Sequence, residues 1–261
     1  MPGKATYEKR GHTAYITISN PGKYNALDIN IRKDLIEGLE KAAKDKEIRV
    51  VVIKGDGEHF SAGADLNYFK DITREELDRF LREYGTAHAI GRRIREIPKP
   101  VIAAVRGYCI GGGFELIQFC DIVIASETAK FGQPELRVGL IPGGGGTQNL
   151  PRLIGDKKAR ELIYTGSFIS PHELEKLGLV NKVVPDDQLE EEVERIIEKI
   201  VSKSPIHIAI AKEAINYALE TPLSTGLRIE AELFKYIFET EDTREGIKAF
   251  LEKRRPQWRG R

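Results

Sequence analysis

The sequence is poor in cysteine, methionine and tryptophan, with two, one and one respectively in 261 residues. Cys109 and Cys120 form no CxxC pair and stand in apolar company, which argues against a disulfide framework and predicts buried, reduced thiols. An excess of either charge is missing too. Lysine plus arginine number 41 against 40 acidic residues, a formal net charge of +1, so there is no broad field to gather nucleic acid or an anionic membrane. No apolar run reaches the roughly 18 residues of a membrane span; Arg106, Glu115, Gln118 and Asp121 interrupt the best candidate. The amino-terminal stretch MPGKATYEKRGH lacks the apolar core of a signal peptide. Five histidines show no HExxH or other ligand spacing, so no metal site is expected. Neither glycine cluster reads GxGxxG or carries the lysine and hydroxyl of a phosphate loop. The expectation is a soluble, cytoplasmic protein with one sizeable core.

What is present is an alternation of short β-branched runs with helical patterns. AYITISN alternates apolar and polar, whereas RVVVIKG, PVIAAVRG, CDIVIAS and VNKVVP are continuous apolar runs, as in sheets covered on both faces. Behind Asp28 as a cap, Ile31, Leu35, Leu39 and Ala42 repeat at helical spacing to about residue 45. Thr73 to Glu76 has capping-box spacing and predicts a longer helix carrying Phe80, Tyr84, Ala87 and Ile94 on one face. Ser170, Pro171 and Glu173 open a short helix that Gly178 closes. After Pro185 the strand signal ends and four helices are expected, the last capped from Asp242 with Glu245. The reading is an α/β core over residues 1–195 with a helical region over 196–261.

Four stretches could carry chemistry. In CIGGGFELIQFCD, three glycines precede an apolar run that holds one carboxylate, Glu115. Glycine before a helix lets unpaired amides approach a developing negative charge, and an apolar lining raises a carboxyl pKa toward working pH. A plain reading, Glu115 as a helix-dipole partner, competes with this. KFGQPELRVGLIPGGGGTQ supplies a second carboxylate, Glu135, beside another glycine-rich loop, and a surface ion pair is its plain alternative. HFSAGADL follows a strand by a few residues, a common place for backbone amides to meet a ligand. Its Ser61 lies outside any GxSxG elbow.

In this order, NPGKYNAL, HFSAGADL, KPVIAAVRGYCIGGGFELIQFCDIVIAS, KFGQPELRVGLIPGGGGTQ, LPRLIG, LIYTGSFISPHE, GLVNKVV and ETEDTREGIKAFLEKRRPQW resemble the enoyl-CoA hydratase/isomerase, or crotonase, superfamily over nearly the whole chain. The resemblance implies a spiral of repeated ββα units with a carboxy-terminal helical region that forms trimers, often stacked as hexamers. It implies an acyl-CoA thioester as substrate, with coenzyme A part of that substrate and no separate cofactor. By motif, the amides of Ala64 and Gly112 would hold the thioester oxygen, and Glu115 and Glu135 would be the hydratase glutamates. Lys23, Ala26, Ala62 and Leu66 would line the path of the adenine and phosphates. Pro134 and Gly143 would flank the substrate in the second glutamate's loops, Tyr68 would line the acyl pocket, and Phe250 and Lys253 would reach coenzyme A from the last helix.

Some positions depart from the commonest hydratase pattern: Asn67 and Asn149 stand where lysine and arginine are usual, and the lysine of PGKYNAL is displaced by one. Relatives that isomerise tend to lose the first glutamate, so Glu115 favours hydration of 2-enoyl-CoA to 3-hydroxyacyl-CoA. Tyr68, Phe69, Phe80 and Tyr84 suggest short chains such as crotonyl-CoA, or 3-hydroxypropionyl-CoA in reverse. The alternatives are isomerisation or acyl-CoA hydrolysis on the same scaffold, or a non-enzymatic CoA- or RNA-binding relative.

Overall fold

A computed structural model describes residues 2–261. The chain opens with β1 (Lys4–Arg10), β2 (Thr13–Ser19), α1 (Ile29–Lys44) and β3 (Val50–Gly55). Next come α2 (Arg74–Tyr84), α3 (Arg92–Glu96), β4 (Val101–Val105), β5 (Tyr108–Ile110), α4 (Gly112–Ile117), β6 (Ile122–Ser126) and β7 (Lys130–Gly132). They are followed by α5 (Gly146–Ile154), α6 (Asp156–Thr165), β8 (Phe168–Ile169), α7 (Pro171–Leu177) and β9 (Lys182–Val184). Four helices complete the chain: α8 (Leu189–Val201), α9 (Pro205–Tyr217), α10 (Leu223–Ile237) and α11 (Glu241–Leu251).

Six strands form one sheet in the order β1-β2-β3-β4-β6-β9, antiparallel at the β1–β2 hairpin and parallel from β2 onward. The uninterrupted apolar runs of β3, β4 and β6 have a simple cause, since both faces of the sheet are covered. Val51, Ile53 and Val101 join Ile31, Leu35 and Leu39 of α1 in one core, while Val50, Val52 and Ile102 meet Leu189, Val193 and Ile197 of α8 on the other side. For the same reason the alternation expected of β2 is absent. It lies between β1 and β3, and every residue in it is buried except Thr17, which is half-buried.

A second, smaller sheet, β5-β7-β8, takes the strand after each central strand of the first. β4 leads to β5 and α4; β6 leads to β7. β3 leads to Ser61, which bridges Cys109 of β5 in parallel. The result is a spiral of ββα turns. The carboxyl ends of Ser61, β5 and β7 therefore lie side by side, and three functional stretches leave the small sheet at one edge.

Two expected helices differ in detail. The long helix from Thr73 begins as expected, with a complete capping box between Thr73 and Glu76, but stops at Gly85, whose backbone is extended and whose N–H caps Leu81 O. A wider π-type turn (residues 86–91) and α3 carry the chain on. The last helix is capped by Thr240, which accepts from Thr243 N. Asp242 is engaged elsewhere: it accepts from Ser204 Oγ, Arg259 N and Gly260 N and so ties down the carboxyl-terminal tail.

The division expected at residue 195 falls within α8, which packs on the sheet through Leu189, Val193 and Ile197. No residue of α9, α10 or α11 belongs to either apolar cluster of the core. α9 is held instead by polar side chains: Lys212 Nζ donates to Ile94 O (2.6 Å), Lys99 O (3.0 Å) and Asp121 Oδ2 (2.7 Å), and Asn216 Nδ2 to Arg95 O (2.9 Å). α10 buries no residue, and Leu227, Phe234 and Tyr236 on it are exposed.

Both thiols are free; Cys109 is buried and Cys120 half-buried, and burial raises the pKa of each. Among the described residues no helix is long and apolar enough to cross a membrane, and no cluster of three or more His, Cys, Asp or Glu is placed to hold a metal ion.

Candidate active site

The loop after Ser61 is fixed at several points. Ser61 N donates to Tyr108 O (2.8 Å), Ile110 N to Ser61 O (3.0 Å) and Leu27 N to Gly63 O (2.7 Å). Ala62 N donates to Tyr24 O (2.8 Å), and Ser61 Oγ to Asn25 O (2.8 Å). Buried Asn25 in turn donates to Asp56 O and His59 O. Each bond places the loop; none uses the amide of Ala64.

Across from it, Gly111 sits at φ 52 and ψ −127, a backbone region open in practice only to glycine, and starts α4 without a side-chain cap. The first amides of this helix therefore point outward unsatisfied. Among the described residues neither Ala64 N nor Gly112 N has a backbone or side-chain acceptor. The two are close, because a Cβ placed on Gly112 would lie 3.4 Å from Ala64 N. Two free amides lie close together, an arrangement suited to an oxygen carrying developing negative charge.

One helical turn on, Glu115 is 4% exposed. Its Oε1 accepts from Gly144 N (2.7 Å) and Gly146 N (2.9 Å), so the glycine-rich loop before α5 serves the carboxylate. Burial pushes its pKa up; the Gly146 and Gly144 amides and the Arg32 guanidinium oppose that rise. Glu135 leaves the carboxyl end of β7 on a short 3-10 turn, with Oε1 3.3 Å from where a Cβ on Gly111 would stand. Its Oε2 is buried with no hydrogen-bond partner. Burial, with the Glu115 charge adding, pushes its carboxyl up to about 7. The site thus holds two carboxyls in unequal surroundings, both pushed up by burial, one with two amides on it and one with an orphaned oxygen.

The structure brings together Ala64, Gly112, Glu115 and Glu135, with Pro134 immediately before the second glutamate and Gly143 immediately before the amide donors of the first. Ala26 is buried, Ala62 is bonded to Tyr24, and Leu66 and Tyr68 are exposed on the turn that follows. Lys23 Nζ is paired to Asp65 Oδ2 (2.8 Å), and Asn67 donates to Asp65 Oδ1, so these side chains form one small cluster. Tyr68 stacks on Phe80 with centroids 4.8 Å apart, and Phe69 meets both edge-on. Phe250, 82% exposed at the end of α11, and Lys253 beyond it are joined to none of these by a hydrogen bond or ion pair among the described residues.

Two residues at the site escape the sequence reading. Gln133 is fully buried and neither atom of its amide has a partner, while a Cβ on the neighbouring Gly146 would clash with its Nε2. Its only signal is its place two residues before Glu135. Arg32 is 3% exposed on the buried face of α1. A charge three residues before Leu35 and seven before Leu39, on an apolar stripe, could have marked it.

The sequence model of the enoyl-CoA hydratase/isomerase family matches residues 8–261. The chain belongs to that family. Among its relatives in the enoyl-CoA hydratase/isomerase family, the short-chain-enoyl-CoA hydratase of Clostridium acetobutylicum is 40% identical, over 95% of this chain and 94% of the other. The crotonyl-CoA hydratase of Syntrophomonas wolfei is 39% identical, over 95% of each. Of solved structures, an enoyl-CoA hydratase subunit from Geobacillus kaustophilus superposes with a TM-score of 0.93 at 36% identity, covering 99% of this chain and 98% of that one. The fold is accordingly that of the crotonases, and enoyl-CoA hydration is the activity that these full-length relatives support for this enzyme.

Proposed function

We propose that the enzyme hydrates short 2-enoyl-CoA thioesters reversibly, with Glu115 as the base toward water and Glu135 as the acid toward the α-carbon. The observation that carries the assignment is the asymmetry of the pair. Two amide donors favour the charged form of Glu115, while Glu135 has a buried, unpartnered oxygen and holds its proton up to about 7.

In this reading the thioester oxygen lies between Ala64 N and Gly112 N. Water loses a proton to Glu115 as its oxygen bonds to C3, and the electrons of the C=C bond move onto the thioester oxygen. Each preorganised donor there is typically worth about 2.7–4 kcal/mol of transition-state stabilisation. The enolate collapses as Glu135 gives its proton to C2. One proton has then passed from Glu135 to substrate and another from water to Glu115; exchange between the carboxyls or with solvent resets the pair, and dehydration runs the same steps backward. These groups supply every proton transfer, so the reading calls for no cofactor beyond the coenzyme A of the substrate.

The mutually packed Tyr68, Phe69 and Phe80, with the Arg32 guanidinium carbon 5.2 Å from the Phe80 centroid, support a preference for short acyl groups. The relatives from Clostridium and Syntrophomonas, named for short-chain enoyl-CoA and crotonyl-CoA, support the same range. Lys23, Ala26, Ala62 and Leu66 would carry the adenine and phosphates along the oxyanion loop. A homotrimer, or a hexamer of two trimers, would cover the apolar groove of about 740 Å³ between α9, α10 and α11, lined by Ile210, Leu233, Phe234, Ile237 and Trp258. Such an assembly would also give exposed Phe250 and Lys253 a ligand to meet on a neighbour. A cytoplasmic location agrees with the free thiols, and the 196–261 helices would be the assembly region.

The test is the loss of conjugated-thioester absorbance when crotonyl-CoA is added to the purified protein, followed by a C4 to C16 series. Hydration with the highest kcat/KM at C4 to C6 is expected. No hydration of any enoyl-CoA would remove the reading, and a maximum at C10 or beyond would remove the short-chain part.

A further inference from the structure

Arg32 is a buried cation without a counterion in contact. Its Nε donates to Leu27 O (3.3 Å), and its Nη1 to Tyr84 O (3.2 Å) and Thr86 Oγ1 (3.0 Å). Among the described residues Nη2 has no acceptor, and no carboxylate lies within ion-pair distance of the guanidinium. That free edge borders the oxyanion pair: a Cβ on Gly112 would stand 3.7 Å from Arg32 Nη2 and 3.4 Å from Ala64 N. Thr86, which Arg32 holds, faces Glu115 across a single glycine, since a Cβ on Gly144 would meet Thr86 Cβ at 2.9 Å and clash with Glu115 Oε2. An apolar side chain would fill this place at lower desolvation cost. The charge is therefore expected to serve the site and not the packing.

We propose that Arg32 is a positioning residue whose free guanidinium edge, fixed beside Gly112 at the start of the helix that carries Glu115, keeps Glu115 charged and leaves the proton of the pair on Glu135. This rests on the hydratase reading above. Glu115 and Asp28 are the carboxylates whose charges act on Arg32, and Asp28 is already engaged as the α1 cap, accepting from Ile31 N and Gly3 N. Around Glu115 the charged groups facing it are Arg32 from α1 and Glu135 from the 3-10 turn. His88 on the π-type turn, Arg152 on α5 and the charged side chains of α2 are all exposed. Burial leaves Arg32 with a pKa of about 10, so it remains a cation at neutral pH. Tyr84 O and Thr86 Oγ1 belong to the segment where the expected long helix breaks, and the break at Gly85 is what turns these two oxygens toward α1.

The experiment compares full-length wild type with Arg32→Met, Arg32→Gln and Arg32→Lys. The first readout is kcat and KM for crotonyl-CoA, with Tm measured for each. The second is the carbon-13 carboxyl resonance of Glu115 at pH 7 in a Glu135→Gln background, with and without each Arg32 substitution. Arg32→Met and Arg32→Gln should lower kcat at least tenfold with KM within threefold, and should move the Glu115 resonance toward its protonated position. Arg32→Lys should restore kcat to within threefold of wild type and return the resonance. The proposal is overturned if Glu115 stays ionised in the Met and Gln variants, if their kcat stays within twofold, or if lost activity tracks Tm alone and lysine does not restore it. Should the Met variant fail to fold, the Gln variant, which retains a donor for Thr86, decides the question by the same two readouts. The carboxyl titration needs no turnover, so it judges Arg32 even if wild type hydrates no enoyl-CoA.

Discussion

Glu115 and Glu135 leave neighbouring strands of the small sheet, yet the elements that receive them differ. Glu115 enters α4, whose first turn is buried and faces the glycine-rich loop, and two amides close on one oxygen. Glu135 enters a four-residue 3-10 turn whose other residues are exposed, and its inner oxygen is left without a donor. The same functional group therefore receives two different sets of hydrogen-bond partners from two kinds of chain segment. In the proposed mechanism, what separates the base from the acid is the supply of N–H groups after the strand, with Arg32 adding to it.

The contrast is broken most sharply by Glu115→Gln. Loss of the base should lower kcat by about 10³-fold while the dissociation constant for an acyl-CoA changes less than about threefold; near-normal turnover would sink the assignment. Glu135→Gln should cost about 10²-fold, and its residual activity should no longer respond to the carboxyl that titrates at about 7. In the intact enzyme that response has a definite sign. In the proposed mechanism the pair carries one proton in either direction, so kcat/KM for hydration of crotonyl-CoA should fall as pH rises through about 7, and kcat/KM for dehydration of 3-hydroxybutyryl-CoA should fall with it, since the reaction releases no net proton. A kcat/KM for crotonyl-CoA that stays level through about 7 would show that the proton on Glu135 is not the one used. The smallest effect is expected of Gly144→Ala: a Cβ there would press on Glu115 and on Thr86 Cβ, and should lower kcat by about tenfold, the kinetic equivalent of roughly 1.4 kcal/mol.

Much of this arrangement is legible in one dimension. β3, β4, β6 and β9 announce themselves as apolar runs because both faces of their sheet are covered, and α1 does so through Ile31, Leu35 and Leu39. Glu115 stands out as a charge inside an apolar stretch. The proximity of two carboxyls twenty residues apart is of another kind. It depends on Ser61 pairing with Cys109 and Cys109 with Phe131, a long-range register that no local periodicity encodes. β5, β7 and β8, of three, three and two residues, are too short to show a pattern. The break after Tyr84 is equally silent, since Phe80, Ala87 and Ile94 keep helical spacing across an extended Gly85. Arg32 is hidden by its charge, which a search for apolar periodicity passes over as surface.

The loop after Ser61 is tied to β5, to Leu27 and to Tyr24 by main-chain bonds that use no ligand atom. On the proposed mechanism a stable mimic of the enolate would thus meet its two donors already in place. Its capture should proceed as a single kinetic phase governed by encounter, with no slow tightening afterwards, because the receptor has nothing left to rearrange.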